Sequence, residues 1–328
     1  MKSLLPKIKL HFSDFWNGYR PDENIFLTLL RTKYEVELDE ENPDLVIYSC
    51  FGKNYLKYKC TRVFFSCENM RPDFSACDYA ITFDYNSRPN HYRFPLYGYY
   101  IDMYPKQLGK SVQNLFVKRD RETLKKEWLG KKKFCCMVVS NGAAKKRIDF
   151  FNKLSAIKQV DSGGKALNNV GGPVKDKLAF ISDYKFVISF ENSSYPGYTT
   201  EKVMEPIMAG SIPVYWGNEL VGKDFNEKRI LNYHSFPSED KLIEKMLELE
   251  ANPDAAVDMI MEAPFASGFE KPAFIKDENL LAFFDGIIKD RQFKKPVALT
   301  YKKYVHGLKL FWKRLNYLYD RVKFRLGL

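Results

Sequence analysis

Ile8, Leu10 and Phe12 alternate with polar residues in KIKLHF, the two-residue period of a strand, and a polar turn with Asn17, Gly18 and Pro21 follows. A helix-like run from Glu23 to Arg31 leads to DLVIYSC from Asp44, an apolar stretch that predicts a strand buried on both faces. RVFFSCEN from Arg62 and YAITFD from Tyr79 repeat the theme. The charged stretch from Lys118 to Lys133 reads as a helix and separates this half from a second series, KFCCMVVSN, YKFVISFEN and GSIPVYWG. Each of these apolar strands ends in a polar or glycine turn. Strands alternating with helical segments predict parallel sheets joined by crossover helices. Ligands bind such sheets beyond the carboxyl ends of their strands, which puts Ser140, Asn141, Glu191, Asn192, Gly217 and Asn218 on a common crevice.

The 328 residues exceed a typical single domain. The pattern predicts an N-terminal domain over 1–130, a second over 131–290 and a tail over 291–328. From pattern alone, two Rossmann-like domains of many enzymes would fit. Hydrophobic residues make up 45% and aromatics 16%, enough for packed cores, so disorder is excluded for most of the length. In MKSLLPKIKLHFSDFW the apolar run is broken by Pro6, Lys7 and Lys9, which fits neither a signal peptide nor a membrane span, so the expected location is the cytoplasm. Cys50, Cys60, Cys67, Cys77, Cys135 and Cys136 contain no CxxC pair and read as buried free thiols in a reducing compartment.

The net charge of +11 raises nucleic acid, an anionic membrane or a phosphorylated substrate as partners. Its distribution narrows the choice. Between Tyr301 and Leu328, eight basic residues face one acid, Asp320, so seven of the eleven charges sit in the tail. There Tyr301, Tyr304, Leu308, Phe311, Leu315, Leu318 and Val322 recur at helical spacing with basic residues around them. The spacing permits a helix lying on an anionic membrane, a dimeric coiled coil or a helix packed on the body. Nucleic acid is disfavoured, because the charge is concentrated in the tail and no nucleic-acid motif is present.

The segment FENSSYPGYTTEKVMEPIMAGSIPVYWGN, Phe190 to Asn218, closely resembles the signature of the family 10 glycosyltransferases, the α-1,3/4-fucosyltransferases. FFSCENMRPDFSACDYAITFD (Phe64 to Asp84), VVSNGAAKKR (Val138 to Arg147) and VDSGGKALNNVGG (Val160 to Gly172) extend the resemblance in the right order, closest to the bacterial branch. It implies a GT-B type α/β fold, two Rossmann-like domains with parallel sheets facing a central cleft, followed here by the C-terminal basic amphipathic helix. It also implies inverting transfer of fucose from GDP-fucose to a GlcNAc hydroxyl of an N-acetyllactosamine-type acceptor. That acceptor would sit on a surface polysaccharide or lipopolysaccharide, with 1,3 or 1,4 linkage. A transferase of another nucleotide sugar such as GDP-mannose is the rival enzyme, and a non-catalytic glycan-binding or nucleic-acid-binding protein the rival from another class.

Breaking a sugar–phosphate bond leaves a pyrophosphate whose charge needs a metal ion or fixed cationic and N–H donors. No Asp-x-Asp pair offers a metal site, so no obligatory metal is expected, although Mn or Mg could stimulate. Lys202 falls at the start of a helix predicted from Thr199 or Thr200, where free N–H groups also favour phosphate. By the resemblance Lys202 and Arg147 form the pyrophosphate clamp, Glu201 contacts the fucose, and Tyr198 and Asn192 hold the donor. Glu201 could also be a first-turn acid, Tyr198 a core aromatic and Asn192 a strand terminator. Glu68 follows the apolar strand RVFFSC, at a strand end facing the cleft, where a carboxylate can act as general base. The resemblance assigns it that role, with Cys67 standing where glycine is common; Asp84 and Asp78 are weaker candidates. Pro206 inside the predicted helix implies a short or kinked one.

Overall fold

Both apolar strand series form parallel sheets in the computed structural model, which describes residues 5–291 and 295–326. The first contains β1 (Lys7–Ser13), α1 (Ile25–Arg31), β2 (Glu35–Leu38), β3 (Leu45–Tyr48), β4 (Thr61–Phe65), β5 (Tyr79–Thr82) and β6 (His91–Arg93). Its strand order is β2-β1-β3-β4-β5-β6, all parallel. Each residue of β3 and β4 is buried, as an apolar run without alternation requires. One face packs Val46, Tyr48, Phe64 and Ala80 on Tyr55 and Tyr58. Phe65 meets Phe26 of α1 edge-on at 5.0 Å between ring centroids. Asn24 starts α1 by accepting the Leu27 N–H at 3.0 Å.

The second series comprises α2 (Leu96–Leu108), α3 (Arg121–Gly130), β7 (Lys133–Met137), α4 (Lys145–Ser155), β8 (Val160–Ser162), α5 (Lys177–Ile181) and β9 (Tyr184–Phe190). It continues through α6 (Glu201–Met208), β10 (Ile212–Trp216), β11 (Leu231–Asn232), α7 (Glu239–Ala251) and α8 (Pro253–Met261). The strand order is β11-β10-β9-β7-β8, again parallel throughout. Chain direction across the sheet reverses between β7 and β9. Their carboxyl ends therefore flank a topological switch point, the position where open α/β sheets bind ligands. Phe186, Ile188, Phe190 and Val214 of the sheet pack on Trp128, Phe150, Leu154, Met246 and Val257 of its helices.

α9 (Asp277–Arg291) and α10 (Lys302–Leu326) return to the first sheet. Phe284 lies 5.9 Å from Phe26, and Asp285 accepts from the Tyr34 hydroxyl at 2.7 Å and pairs with Lys33. The chain thus divides into Met1–Thr82, Asn86–Arg93 and Asp277–Leu328 as one unit, with Phe83–Tyr85 and Phe94–Lys276 as the other. This division differs from the expected breaks at 130 and 290. The charged stretch around α3 is no linker, because Leu124 and Trp128, four residues apart, bury one helix face in the second core. α2 likewise joins that unit, with Tyr97 edge-on to Phe225 at 4.8 Å.

Candidate functional site

α6 begins where the sequence places it. Thr200 is its N-cap, with extended backbone and its hydroxyl 3.5 Å from the Lys202 N–H. The helix runs for eight residues with Pro206 inside and stops at Met208, the short helix the proline implies. Its first turn carries Glu201 and Lys202, whose side chains are 16% and 15% exposed, leaving one face of each open to a ligand. The Lys202 ammonium lies 3.2 Å from Glu191 Oε2, 3.4 Å from Glu201 Oε1 and 3.1 Å from Thr200 Oγ1.

These charges set one another. Burial alone would lower the Lys202 pKa, yet Glu191 and Glu201 together raise it above the usual lysine value, so it stays an ammonium. Burial pushes Glu201 the other way, but Lys202 and Lys177 outweigh it and hold the carboxyl down at about 2. Lys177, from the first residue of α5, also pairs with the buried Glu205, which takes a hydrogen bond from the Tyr104 hydroxyl. Sequence reasoning missed Lys177 and Glu205. Nothing in the spacing of a lysine twenty-five residues upstream of Lys202 marks it as a neighbour.

Arg147 and Asn192 come together at the switch point. Arg147, on α4, is fully buried, and burial lowers its pKa. Nε and Nη2 donate to Phe190 O at 3.0 and 2.5 Å, Nη1 to Asn141 O at 3.3 Å and Nη2 to Asn192 Oδ1 at 3.0 Å. Expected as one half of the pyrophosphate clamp, it ties the end of β9 to the loop after β7. Tyr198 is 2% exposed, with its ring edge-on to Phe83 at 5.1 Å, so its contacts are those of a packed aromatic. Asn218 is the staple of this region. Its Oδ1 accepts from Gly197 N and Leu220 N at 2.8 and 2.9 Å, and its Nδ2 donates to Thr199 Oγ1 at 2.9 Å. Ser140 and Asn141 are exposed beyond β7.

Glu68 lies in the other unit, half-buried, three residues past the end of β4. Its backbone carbonyl accepts from the Ser66 hydroxyl at 2.7 Å and from Met70 N at 2.6 Å, which closes a tight turn. Cys67 packs its sulfur 2.7 Å from Ser49 Oγ and 4.0 Å from Cys50 Sγ, all as free thiols. Asp78 does not suit catalysis. It stands at the amino end of β5, and its carboxylate accepts from Arg62 N at 2.9 Å and Val297 N at 2.6 Å. Asp84 is 8% exposed just beyond the carboxyl end of β5.

Comparison with known proteins bears on the family and the fold. Residues 10–100 match the alpha-(1,3)-fucosyltransferase FucT N-terminal domain, and residues 128–258 match the C-terminal domain of glycosyltransferase family 10 (fucosyltransferase). An alpha-(1,3)-fucosyltransferase FucT of Helicobacter pylori is 30% identical over 321 residues, covering 87% of this chain; the chain spans 66% of that protein's length. A crystal structure of an alpha1,3-fucosyltransferase with GDP-fucose superposes with a TM-score of 0.74 at 28% identity, covering 88% of this chain and 93% of the other. One with GDP gives 0.72 at 26% identity, covering 88% and 92%.

Proposed function

Because the chain belongs to glycosyltransferase family 10, the fucosyltransferases, we propose that it is an inverting α-1,3 or α-1,4 fucosyltransferase using GDP-fucose. The acceptor in this reading is a GlcNAc hydroxyl of an N-acetyllactosamine-type unit on a surface glycan such as lipopolysaccharide. The observation that carries it is the charged first turn of α6 beside the switch point, where Lys202 and the helix N-terminus offer an ammonium and N–H groups to a pyrophosphate. Arg147 adds its charge from behind and holds Asn192 toward the donor. Glu201, ionised and partly open, meets a fucose hydroxyl or the positive charge growing at the anomeric carbon. Tyr198 packs the wall of the donor site.

In the reaction the acceptor oxygen forms its bond to the anomeric carbon as the bond to GDP breaks. The proton passes to the Glu68 carboxylate and the electron pair leaves with GDP, whose charge Lys202 receives. Cations rather than a metal take that charge, so turnover should persist in EDTA, with Mn or Mg at most stimulating it. The test is incubation with GDP-fucose or GDP-mannose and a panel of disaccharides, followed by linkage analysis. Fucose transfer supports the reading, and mannose transfer without fucose transfer overturns it. Glu68→Gln should keep GDP binding while losing transfer on the order of 10². Near-parent turnover of that variant would reject Glu68 as the base.

We assign α10 to the surface of an anionic membrane on the cytoplasmic side. Its attachments to its own unit are polar: His306 lies 3.0 Å from the Tyr55 hydroxyl and 3.2 Å from Asp73, and Lys309 lies 2.9 Å from Asp73. At about 100° per residue His306 falls opposite the apolar stripe. Tyr304, Leu308 and Phe311 on that stripe are each more than half exposed, as is Trp312 beside it. By the same count Lys303 and Arg314 flank it, while Lys302 and Lys313 lie on the His306 face. This geometry disfavours the stripe packing on the body and suits a helix lying on lipid. No described helix is long and apolar enough to cross a membrane.

A further inference from the structure

Glu191, the residue after β9, has a fully buried side chain in the middle of the donor site, and none of the roles above uses it. Its backbone N–H donates to Trp216 O at 2.8 Å, which locks it to the end of β10. Its Oε1 accepts the Thr200 N–H at 2.8 Å and lies 2.9 Å from Thr200 Oγ1, while Oε2 lies 2.8 Å from Oγ1 and 3.2 Å from the Lys202 ammonium. Gly217 makes the room. A Cβ there would sit 2.5 Å from Glu191 Cγ, at a φ of +155° that L side chains rarely adopt. A carboxylate buried this completely is costly unless its partners are matched to it. Here every partner belongs either to the N-cap or to the residue offered to phosphate.

We propose that Glu191 is a positioning residue that fixes the Lys202 ammonium and the Thr200 cap before the donor arrives, without touching the donor itself. The inference rests on the reading of Lys202 as the contact to the leaving nucleoside diphosphate. Lysine swings on a flexible four-carbon stem, and a cation stabilises developing charge best when it needs no reorganisation as the bond breaks. Glu191 supplies that restraint from the side away from solvent, and Thr200 relays it by holding both the carboxylate and the first turn. The carboxylate has an opposing effect on the bound state. Its negative charge lies close to where a pyrophosphate would settle, so it weakens ground-state binding while it orders the group that acts in the transition state.

That opposition gives a signature that general damage to the site would not produce. Glu191→Gln keeps the volume and an acceptor for Thr200 N but removes the charge. It should bind GDP as tightly as the parent or several-fold tighter, while kcat with GDP-fucose falls on the order of ten- to a hundred-fold. Thr200→Val should lower kcat similarly and Thr200→Ser should restore it, and this pair carries the test should Glu191→Gln fold poorly. In Lys202→Ala, adding Glu191→Gln should cause no further loss of kcat, because the two act as one unit. Unchanged kcat in Glu191→Gln, or a fall of kcat together with weaker GDP binding and a lower melting temperature, overturns the proposal. So does equal turnover in Thr200→Val and Thr200→Ser. If Lys202→Ala itself retains parental turnover and GDP affinity, the phosphate role of Lys202 fails instead, and the positioning role falls with it.

Discussion

His91, 8% exposed at the start of β6, holds Nε2 2.8 Å from the Thr82 hydroxyl. Burial, opposed by a backbone contact at Asn86 and aided by Arg93, lowers its pKa to about 4, against about 6.5 for an exposed imidazole. The neutral ring therefore stabilises the fold above pH ~6.5. As pH falls from 6.5 to 4 the unfolded chain takes up a proton that the folded chain refuses, and stability on the order of 3 kcal/mol is lost. Glu201 acts in a separate, lower window. Its depressed carboxyl contributes above about 4.5 and loses that contribution as pH drops toward 2. Denaturant unfolding at pH 7, 5.5 and 4 should show His91→Gln losing roughly 3 kcal/mol less than the parent across this range; parallel losses would remove His91 as the cause. Lys202, Glu201, Asn192 and Tyr198 could be singled out in the sequence because their motif is contiguous. Arg147 illustrates the limit, since a motif places a guanidinium near phosphate but does not reveal that the Phe190, Asn141 and Asn192 oxygens already take its donors.

Among elements, those with an unmistakable pattern are those buried on both sides. β3, β4, β9 and β10 carry long apolar runs because helices cover both faces of a parallel sheet. β2, β6, β8 and β11 have two to four residues each at or next to a sheet edge, and the reading missed them. Too few positions exist there for a period to emerge. The glycines that follow β8 have a steric reason, and Gly164 shows it. A Cβ on it would lie 1.9 Å from Val139 O, so the loop after β8 approaches the end of β7 more closely than any side chain allows. Gly164→Ala should destabilise the second unit by about 2–4 kcal/mol, the range of strong single-site effects. Gly142→Ala, which would meet only Ala166 Cβ at 3.8 Å, should cost about 1 kcal/mol or less. Melting curves of the two variants side by side make the comparison, and equal shifts would show that the loop can retreat from β7.

At the scale of the molecule, what the chain order hides is that its last two helices belong with its first sheet. The helical pattern of α9 shows that one face is apolar but not which sheet will cover it, and the Phe284–Phe26 contact and the Asp285–Tyr34 bond settle that. α10 poses the opposite case, an apolar stripe whose described residues remain largely exposed. Removal of Tyr301 to Leu328 deletes seven of the eleven net charges but only one buried side chain among the described residues, His306. Both units should stay folded, and the proposed transfer to a small soluble acceptor should persist. The fall in stability should be about 1–2 kcal/mol, the scale of losing the His306 and Lys309 bonds to Asp73 and Tyr55. Binding to anionic vesicles should vanish, since each basic residue near such a surface contributes roughly 1 kcal/mol and the stripe adds apolar burial. For the full chain, raising salt from 0.1 M to 1 M shortens the screening length from about 10 Å to about 3 Å. Vesicle cosedimentation should therefore fall steeply over that range, while whatever survives measures the apolar part. A truncated chain that sediments with vesicles as well as the full one would sink the membrane role. A full chain that dimerises through the tail and ignores vesicles would assign the stripe to a second copy, and a drop of many degrees in melting temperature would assign it to the body.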